Sequence, residues 1–221
     1  EFKQAEAKHD FVITDIEVPN NETDPIQMRE KAIRIGKVVR KLTVDGIDIS
    51  DIAIETAKKS SSNLNLTEKV KFQVKDVNEI STKSTFDLIF CLEVLEHIQK
   101  DKMFLAKLFD LLSNRGLLIL SVPLTSAPIL KFEVGKSFDK QVGHLRRYSE
   151  KDITFLVKKV GFSPLVVIKT EGLLRNSLFV VPSLRRFVRF IKGPISFVIT
   201  FVDDVFGRFL GYSDLILILS K

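Results

Sequence analysis

The sequence predicts an α/β fold in which a doubly wound sheet is covered on both faces by helices, and three observations carry that expectation. The run Leu88–Leu92 is continuously apolar, as a strand buried on both faces must be. From Lys31 onward, short β-branched runs alternate with helical patterns, the signature of strand–helix–strand units. Asp48, Asp76 and Glu93 each follow such a run, at the carboxyl edge where ligands bind in open α/β sheets.

Lys31–Ile35 reads as a first strand and Val44–Ile49 as the next, ending in Asp48. Ser50 suits a helix cap, with Ile52, Ala53 and Ala57 on the inner face and Asp51 and Glu55 outward. Val70–Val74 alternates as a strand, and Phe86–Leu92 leads into an acidic helical turn ending at His97. Asp101–Leu112 aligns Phe104, Leu105, Leu108, Leu111 and Leu112 on one stripe, after which Gly116 lets the helix stop. Leu117–Val122 is the next strand, closed by Pro123. Ser149 and Asp152 form a capping box before a helix that buries Ile153, Leu156, Val157 and Val160 and ends at Gly161. Pro164–Ile168 and Leu215–Leu219 supply the last two strands. Residues 1–221 read as one domain, with a helical or irregular extension over 1–30 and an apolar, arginine-studded insertion over 172–212.

One spacing fails a physical test. Eight residues, Gly36 to Thr43, separate the first two strands. As helix they rise about 12 Å, which leaves nothing for the turns of a parallel crossover. Either these strands are not parallel neighbours, or the sequence lacks residues near Ile35/Gly36 and Leu42/Thr43.

Composition narrows the function classes. At 221 residues and 45% hydrophobic content, the chain can build one sizeable core. Its single cysteine, Cys91, sits inside an apolar strand, so no disulfide framework exists and a reducing, cytoplasmic setting is expected. The opening residues, EFKQAEAKHD, carry no secretory pattern, and no apolar span reaches the roughly 18 residues of a membrane helix. A net charge of +6 permits anionic partners. Nucleic acid is disfavoured, because the chain has no Trp and two Tyr for base stacking.

Several polar residues stand where packing alone does not require them. Asp48 and Asp76 suit either turn capping or ligand binding. Glu93, Glu96 and His97 share one face of a helical turn at i, i+3 and i+4, as a solvated helix start or as a site for Mg²⁺, Mn²⁺ or Zn²⁺. His97 and His144 are candidate general bases. Arg146, Arg147 and Tyr148 follow in the same loop as His144, where His144 and Tyr148 either pin the loop or face a substrate and the arginines meet water, Asp139 or that substrate. Cys91 reads as a core residue. Within 172–212, Arg175, Arg185, Arg186, Arg189 and Lys192 interleave with aliphatics and phenylalanines, which fits a membrane-surface helix, a cap over a substrate site or a homodimer seam.

Five segments together resemble the class I S-adenosylmethionine-dependent methyltransferases, in particular the ubiquinone-biosynthesis-type group. They are VDGIDIS at 44–50, KDVNEI at 75–80, FDLIFCLEVLEHI at 86–98, NRGLLILSVP at 114–123 and GHLRRYSEKDITFLVKKVGF at 143–162. The resemblance spans about Lys31 to Lys221 and implies a Rossmann-like mixed sheet of seven strands in the order 3-2-1-4-5-7-6, the seventh antiparallel. It implies S-adenosylmethionine as cofactor, contacted by Gly36, Asp48, Ile49, Asp76, Val77, Cys91, Leu92 and Glu93. Arg147 and Tyr148 would face a small or lipid-like methyl acceptor, and a divalent cation on Glu93, Glu96 and His97 is a further option. The family's glycine-rich loop after the first strand is absent from this sequence. Two rival readings remain: a nicotinamide-dependent oxidoreductase and a non-catalytic, membrane-associated binding protein that keeps the fold.

Overall fold

The computed structural model describes residues 44–81, 85–181, 184 and 194–221. The strand expected at Lys31–Ile35, Gly36 with the connection to Thr43, and Arg185, Arg186, Arg189 and Lys192 lie outside the described residues. The chain divides into two compact units, one of residues 1–90 with 110–116 and one of residues 91–109 with 117–221.

In the first unit, β1 (Val44–Asp48) and β2 (Val70–Val74) pair in parallel through α1 (Asp51–Asn63). Ser50 caps α1 as expected, its hydroxyl accepting the Ala53 N–H at 3.2 Å. The inner face of α1 differs from the expected one. Ile54 and Ser61 are buried and Ile52 is 73% exposed. Ile54, Ala57 and Ser61 follow the i, i+3, i+7 repeat of one helix stripe, which excludes Ile52 and Ala53. In the paired strands Gly46 lies opposite Phe72, and a Cβ there would run into the Phe72 ring.

A second sheet joins β3 (Phe86–Leu92), β4 (Leu112–Pro123), β5 (Ser163–Thr170) and β6 (Asp214–Ser220) in the order β3-β4-β6-β5. β6 runs antiparallel to both of its neighbours, whereas the β1–β2 pair of the first unit is parallel. Its Leu215, Leu217 and Leu219 are fully buried while the residues between them are half-buried, the period-2 pattern of a strand with one face on the core. β3 has the predicted bounds but is mostly half-buried, with Cys91 its one fully buried residue.

The helix α2 (Asp101–Leu111) buries Leu105, Leu108 and Leu111, and β4 begins at once with Leu112. Gly116 therefore does not stop the helix; it lies inside β4. Arg115 takes the left-handed φ of 67°, and a Cβ on Gly116 would come within 3.1 Å of the Phe86 carbonyl. The glycine serves close backbone approach rather than helix termination.

In the second unit, α3 (Glu133–Val142) packs with α5 (Leu173–Val180) over a small cluster built on Ala127, Ile129 and Val180. α4 (Glu150–Val160) buries Ile153 and Val157 and carries the predicted capping box: the Ser149 hydroxyl accepts the Asp152 N–H at 3.1 Å and donates to its carboxylate at 2.7 Å. α4 ends at Gly161, whose φ of +124° favours glycine. α6 (Pro194–Leu210) packs on α5. Among the described residues no helix is long and apolar enough to cross a membrane.

Candidate functional site

The second unit gathers its polar residues where β3 and β4 end. Glu93 follows β3 with a left-handed φ of 52°. Ser121 of β4 holds it: the hydroxyl accepts the Glu93 N–H at 3.0 Å and donates to Glu93 Oε1 at 2.7 Å. A short 3-10 turn then spans Leu95–His97. Glu93 thus precedes the turn, and the expected face shared by Glu93, Glu96 and His97 does not form as one helical stripe, because Ser121 draws Glu93 toward β4.

Glu96 is fully buried, and neither of its carboxyl oxygens meets hydrogen-bond geometry. Burial, followed by the charge of Glu93, pushes its pKa up to about 8. Two imidazoles face it: His97 Nε2 lies 3.9 Å and His144 Nε2 3.8 Å from Glu96 Oε1. The rings meet edge to face, with centroids 5.0 Å apart. One ligand atom from each of Glu96, His97 and His144 falls within 4.8 Å of the others, a spacing that could hold a metal ion.

Each imidazole is oriented through its other nitrogen. His97 Nδ1 lies 3.1 Å from the Gly143 carbonyl, and His144 Nδ1 lies 3.1 Å from Asp139 Oδ1. A carbonyl and an ionised carboxylate only accept, so these two contacts favour a proton on Nδ1 of each ring, with Nε2 turned toward Glu96. Burial pushes the His144 pKa down, against the raising effect of Asp139. Asp139 also receives a two-pronged clasp, Arg147 Nε donating to Oδ2 and Nη2 to Oδ1, both at 2.7 Å. Burial alone would raise the Asp139 pKa, but that clasp and the Arg147 charge hold it below the ordinary value.

The loop from Gly143 to Tyr148 is stitched down. Tyr148 N–H donates to the Pro123 carbonyl, Thr125 N–H to the Tyr148 carbonyl and Leu145 N–H to the Glu96 carbonyl. The Tyr148 hydroxyl donates to Asp101 Oδ2 at 3.0 Å, and Arg146 Nη1 reaches the same oxygen at 2.6 Å. Arg147 and Tyr148, expected at a substrate, are thus engaged with Asp139 and Asp101. Cys91 is buried, and burial pushes its thiol up to about 12, which leaves it a protonated core residue.

Sequence reasoning passed over Asp214 and Glu171. Asp214 opens β6, and burial followed by the charges of Glu93 and Glu171 pushes it up to about 9. The strand-edge carboxylate that singled out Asp48 was also present here, at the amino end of LILIL rather than the carboxyl end.

In the first unit, Asp48 is exposed at the end of β1, and its Oδ1 accepts the Ser50 N–H at 2.7 Å. Ile49 follows it, 78% exposed. Asp76 Oδ1 accepts both the backbone and side-chain N–H of Asn78 at 2.8 Å and caps a short turn that starts at Val77.

A methyltransferase-domain family profile matches residues 7–166, and the chain belongs to that family. The match begins well ahead of Lys31. The mitochondrial ubiquinone biosynthesis O-methyltransferase of Schizosaccharomyces pombe is 35% identical over 80 residues, covering 36% of this chain and 29% of that protein. The ubiquinone biosynthesis O-methyltransferase of Rickettsia bellii is 23% identical over 116 residues, covering 50% of this chain and 48% of that one. The chain spans about half the length, or less, of these curated relatives. Among solved structures, the 4+2-cyclase SpnF is similar at TM-score 0.57 and 16% identity, covering 87% of this chain and 71% of that one. The cyclopropane synthase MmaA2 from Mycobacterium tuberculosis scores 0.57 at 15% identity, covering 85% and 73%. Magnesium protoporphyrin IX methyltransferase from Synechocystis scores 0.51 at 20% identity, covering 81% and 64%. These likenesses establish an α/β methyltransferase-like fold, and a cyclase, a cyclopropane synthase and a methyltransferase among them illustrate that such a fold does not by itself fix the reaction.

Proposed function

We propose that this chain transfers a methyl group from S-adenosylmethionine to a hydroxyl of a small, lipid-like acceptor. The observation that carries the reading is the methyltransferase-domain match over residues 7–166, which runs through Asp48 at the end of β1 and the acids that follow β2 and β3. The names of the two relatives support oxygen as the accepting atom and a lipid-like substrate. In the same reading the two sheets are parts of the seven-stranded order 3-2-1-4-5-7-6.

The residues present fit the cofactor. An exposed carboxylate at the end of β1 suits a pair of vicinal hydroxyls, so Asp48 would take the ribose, with Ile49 beside it. Asp76 and Val77 would hold the adenine side, and Cys91, Leu92 and Glu93 would line the cofactor from the end of β3. Gly36 would approach it from the preceding loop. When bound, the cofactor supplies an electrophilic methyl group, so the protein's main tasks are alignment and exclusion of water.

His144 Nε2 takes the proton of the acceptor hydroxyl, and burial keeps the ring neutral and ready for it. His97 Nε2, on the other side of Glu96, is the second candidate for that proton. With Asp139 and Asp101 engaged as described, Arg147 and Tyr148 serve the acceptor by fixing the loop that carries His144. α6 aligns Phe197, Phe201, Val205 and Phe209 on one exposed stripe, and Arg185, Arg186, Arg189 and Lys192 precede it in sequence. That combination supports contact with a lipid surface.

A second reading, favoured by the buried and unpartnered Glu96 oxygens, places a divalent cation on Glu96, His97 and His144. Two imidazoles and a carboxylate suit zinc better than magnesium. There it would polarise the acceptor hydroxyl.

Titration calorimetry with S-adenosylmethionine, S-adenosylhomocysteine and NAD(P)H tests the reading, followed by methyl-label transfer to hydroxylated aromatic and alkyl acceptors. Binding of both adenosyl compounds but not NAD(P)H, with label found on oxygen, is expected. Binding of none of them in the full-length protein would overturn it.

A further inference from the structure

We propose that Asp139, clasped by Arg147, is a positioning residue that fixes the tautomer of His144 and so aims a bare Nε2 at Glu96. The inference rests on the reading above in one respect, that His144 Nε2 is a working atom of the site.

The geometry is specific. His144 is 10% exposed and its Nδ1 meets Asp139 Oδ1 at 3.1 Å. That same oxygen takes Arg147 Nη2 at 2.7 Å, while Oδ2 takes Arg147 Nε at 2.7 Å. Both oxygens of Asp139 are therefore held by one planar fork, which leaves the carboxylate no rotational freedom to release the ring. Arg147 is itself anchored, its Nη1 donating to the Leu124 carbonyl at 3.2 Å. The chain Leu124, Arg147, Asp139, His144 thus runs from the end of β4 to the imidazole in consecutive hydrogen bonds. Asp139 also holds the loop by its backbone, its carbonyl accepting the N–H groups of Gly143 and His144 at 3.0 Å. The backbone bonds fix where the loop lies, whereas the side chain fixes which nitrogen carries the proton.

The tautomer matters because Nε2 faces a fully buried Glu96 with unpartnered oxygens, 3.8 Å away. With the proton on Nε2, His144 could neither accept a proton there nor donate a lone pair to a cation. An imidazole without an Nδ1 acceptor is free to hold the proton on Nε2. Asp139 removes that option. His97 has only the Gly143 carbonyl in the equivalent place, a neutral and weaker acceptor.

Nitrogen-15 NMR of the full-length protein labelled at histidine, at about pH 8 where imidazoles are neutral, reads the tautomer directly. In the wild type, His144 is expected with Nδ1 protonated and Nε2 bare. Asp139→Ala is expected to shift His144 toward the Nε2-protonated form, lower kcat at least tenfold and leave S-adenosylhomocysteine affinity within twofold. A wild-type His144 protonated on Nε2 overturns the inference without any variant. An Asp139→Ala protein that keeps the wild-type tautomer overturns it too. Should the wild type bind no adenosyl compound and transfer no methyl group, the functional reading falls, while the tautomer measurement still decides the role of Asp139.

Discussion

Asp203 of α6 is buried to 1% exposure and accepts the backbone N–H of Gly172 at 2.7 Å, across 31 positions of chain. Its other oxygen takes the N–H groups of Leu174 and Arg175 at 2.8 and 3.2 Å. Gly172, at the N-cap position of α5, has no side chain to do this, so the cap comes from a different helix. Asp203→Ala leaves three amides without their acceptor and is expected to cost about 2 to 3 kcal/mol. Urea unfolding measures the loss, and hydrogen exchange over 172–180 should quicken more than exchange in α4.

Asp214 makes stability fall as pH rises. Its carboxyl ordinarily titrates at 3.8 but is pushed up to about 9 in the fold. Between those values the unfolded chain releases the proton and the folded chain keeps it, so the contribution is whole below about pH 4 and is lost as pH climbs toward 9. Asp214→Asn mimics the protonated acid. It should flatten the pH dependence of Tm and be more stable than wild type at pH 8 by a few kcal/mol at most. Calorimetric melts at several pH values between 5 and 9 check this.

Asp48 is exposed and its ordered partner is the nearby Ser50 N–H, so Asp48→Ala should fold normally. Losing a charged acceptor for ribose hydroxyls costs about 10- to 100-fold in affinity. Calorimetry with S-adenosylhomocysteine should record that drop with an unchanged melting temperature.

The two uses of His144 separate under chelation. If Nε2 works as a base, dialysis against a strong chelator leaves methyl transfer within about twofold, and this is the expected result. A loss beyond tenfold that zinc restores would assign Glu96, His97 and His144 to a cation. Turnover before and after dialysis, with metal analysis of the protein, decides it.

The proposed contact of α6 with a lipid surface predicts that Phe201→Ser together with Phe209→Ser weakens sedimentation with anionic vesicles at least fivefold. These side chains are 62% and 84% exposed, so stability should hardly change.

Legibility in the sequence followed the range of the forces involved. β2 and β3 were readable to the residue because local alternation and apolar runs bound them, and the Ser149–Asp152 cap because both partners lie within one turn. Asp139, Arg147 and His144 were visible as neighbours in sequence, but their joint aim at Glu96 depends on a chain fold bringing 139–147 to the end of β3. Glu93 was misplaced onto a helical turn because Ser121, 28 positions away, decides its direction. The wrong inner face of α1 has the same origin: periodicity gives a stripe, and only tertiary packing says which stripe is covered.

The place of β6 between β4 and β5 has a consequence for synthesis. β5 leaves the ribosome more than forty residues before the strand it pairs with, and β4 waits longer still. Two apolar strands therefore stand without their shared partner during translation, open to misdirected pairing. Completion of this sheet waits on residues 214–220, and a pause in translation after residue 170 would lengthen the interval in which β4 and β5 lack that partner.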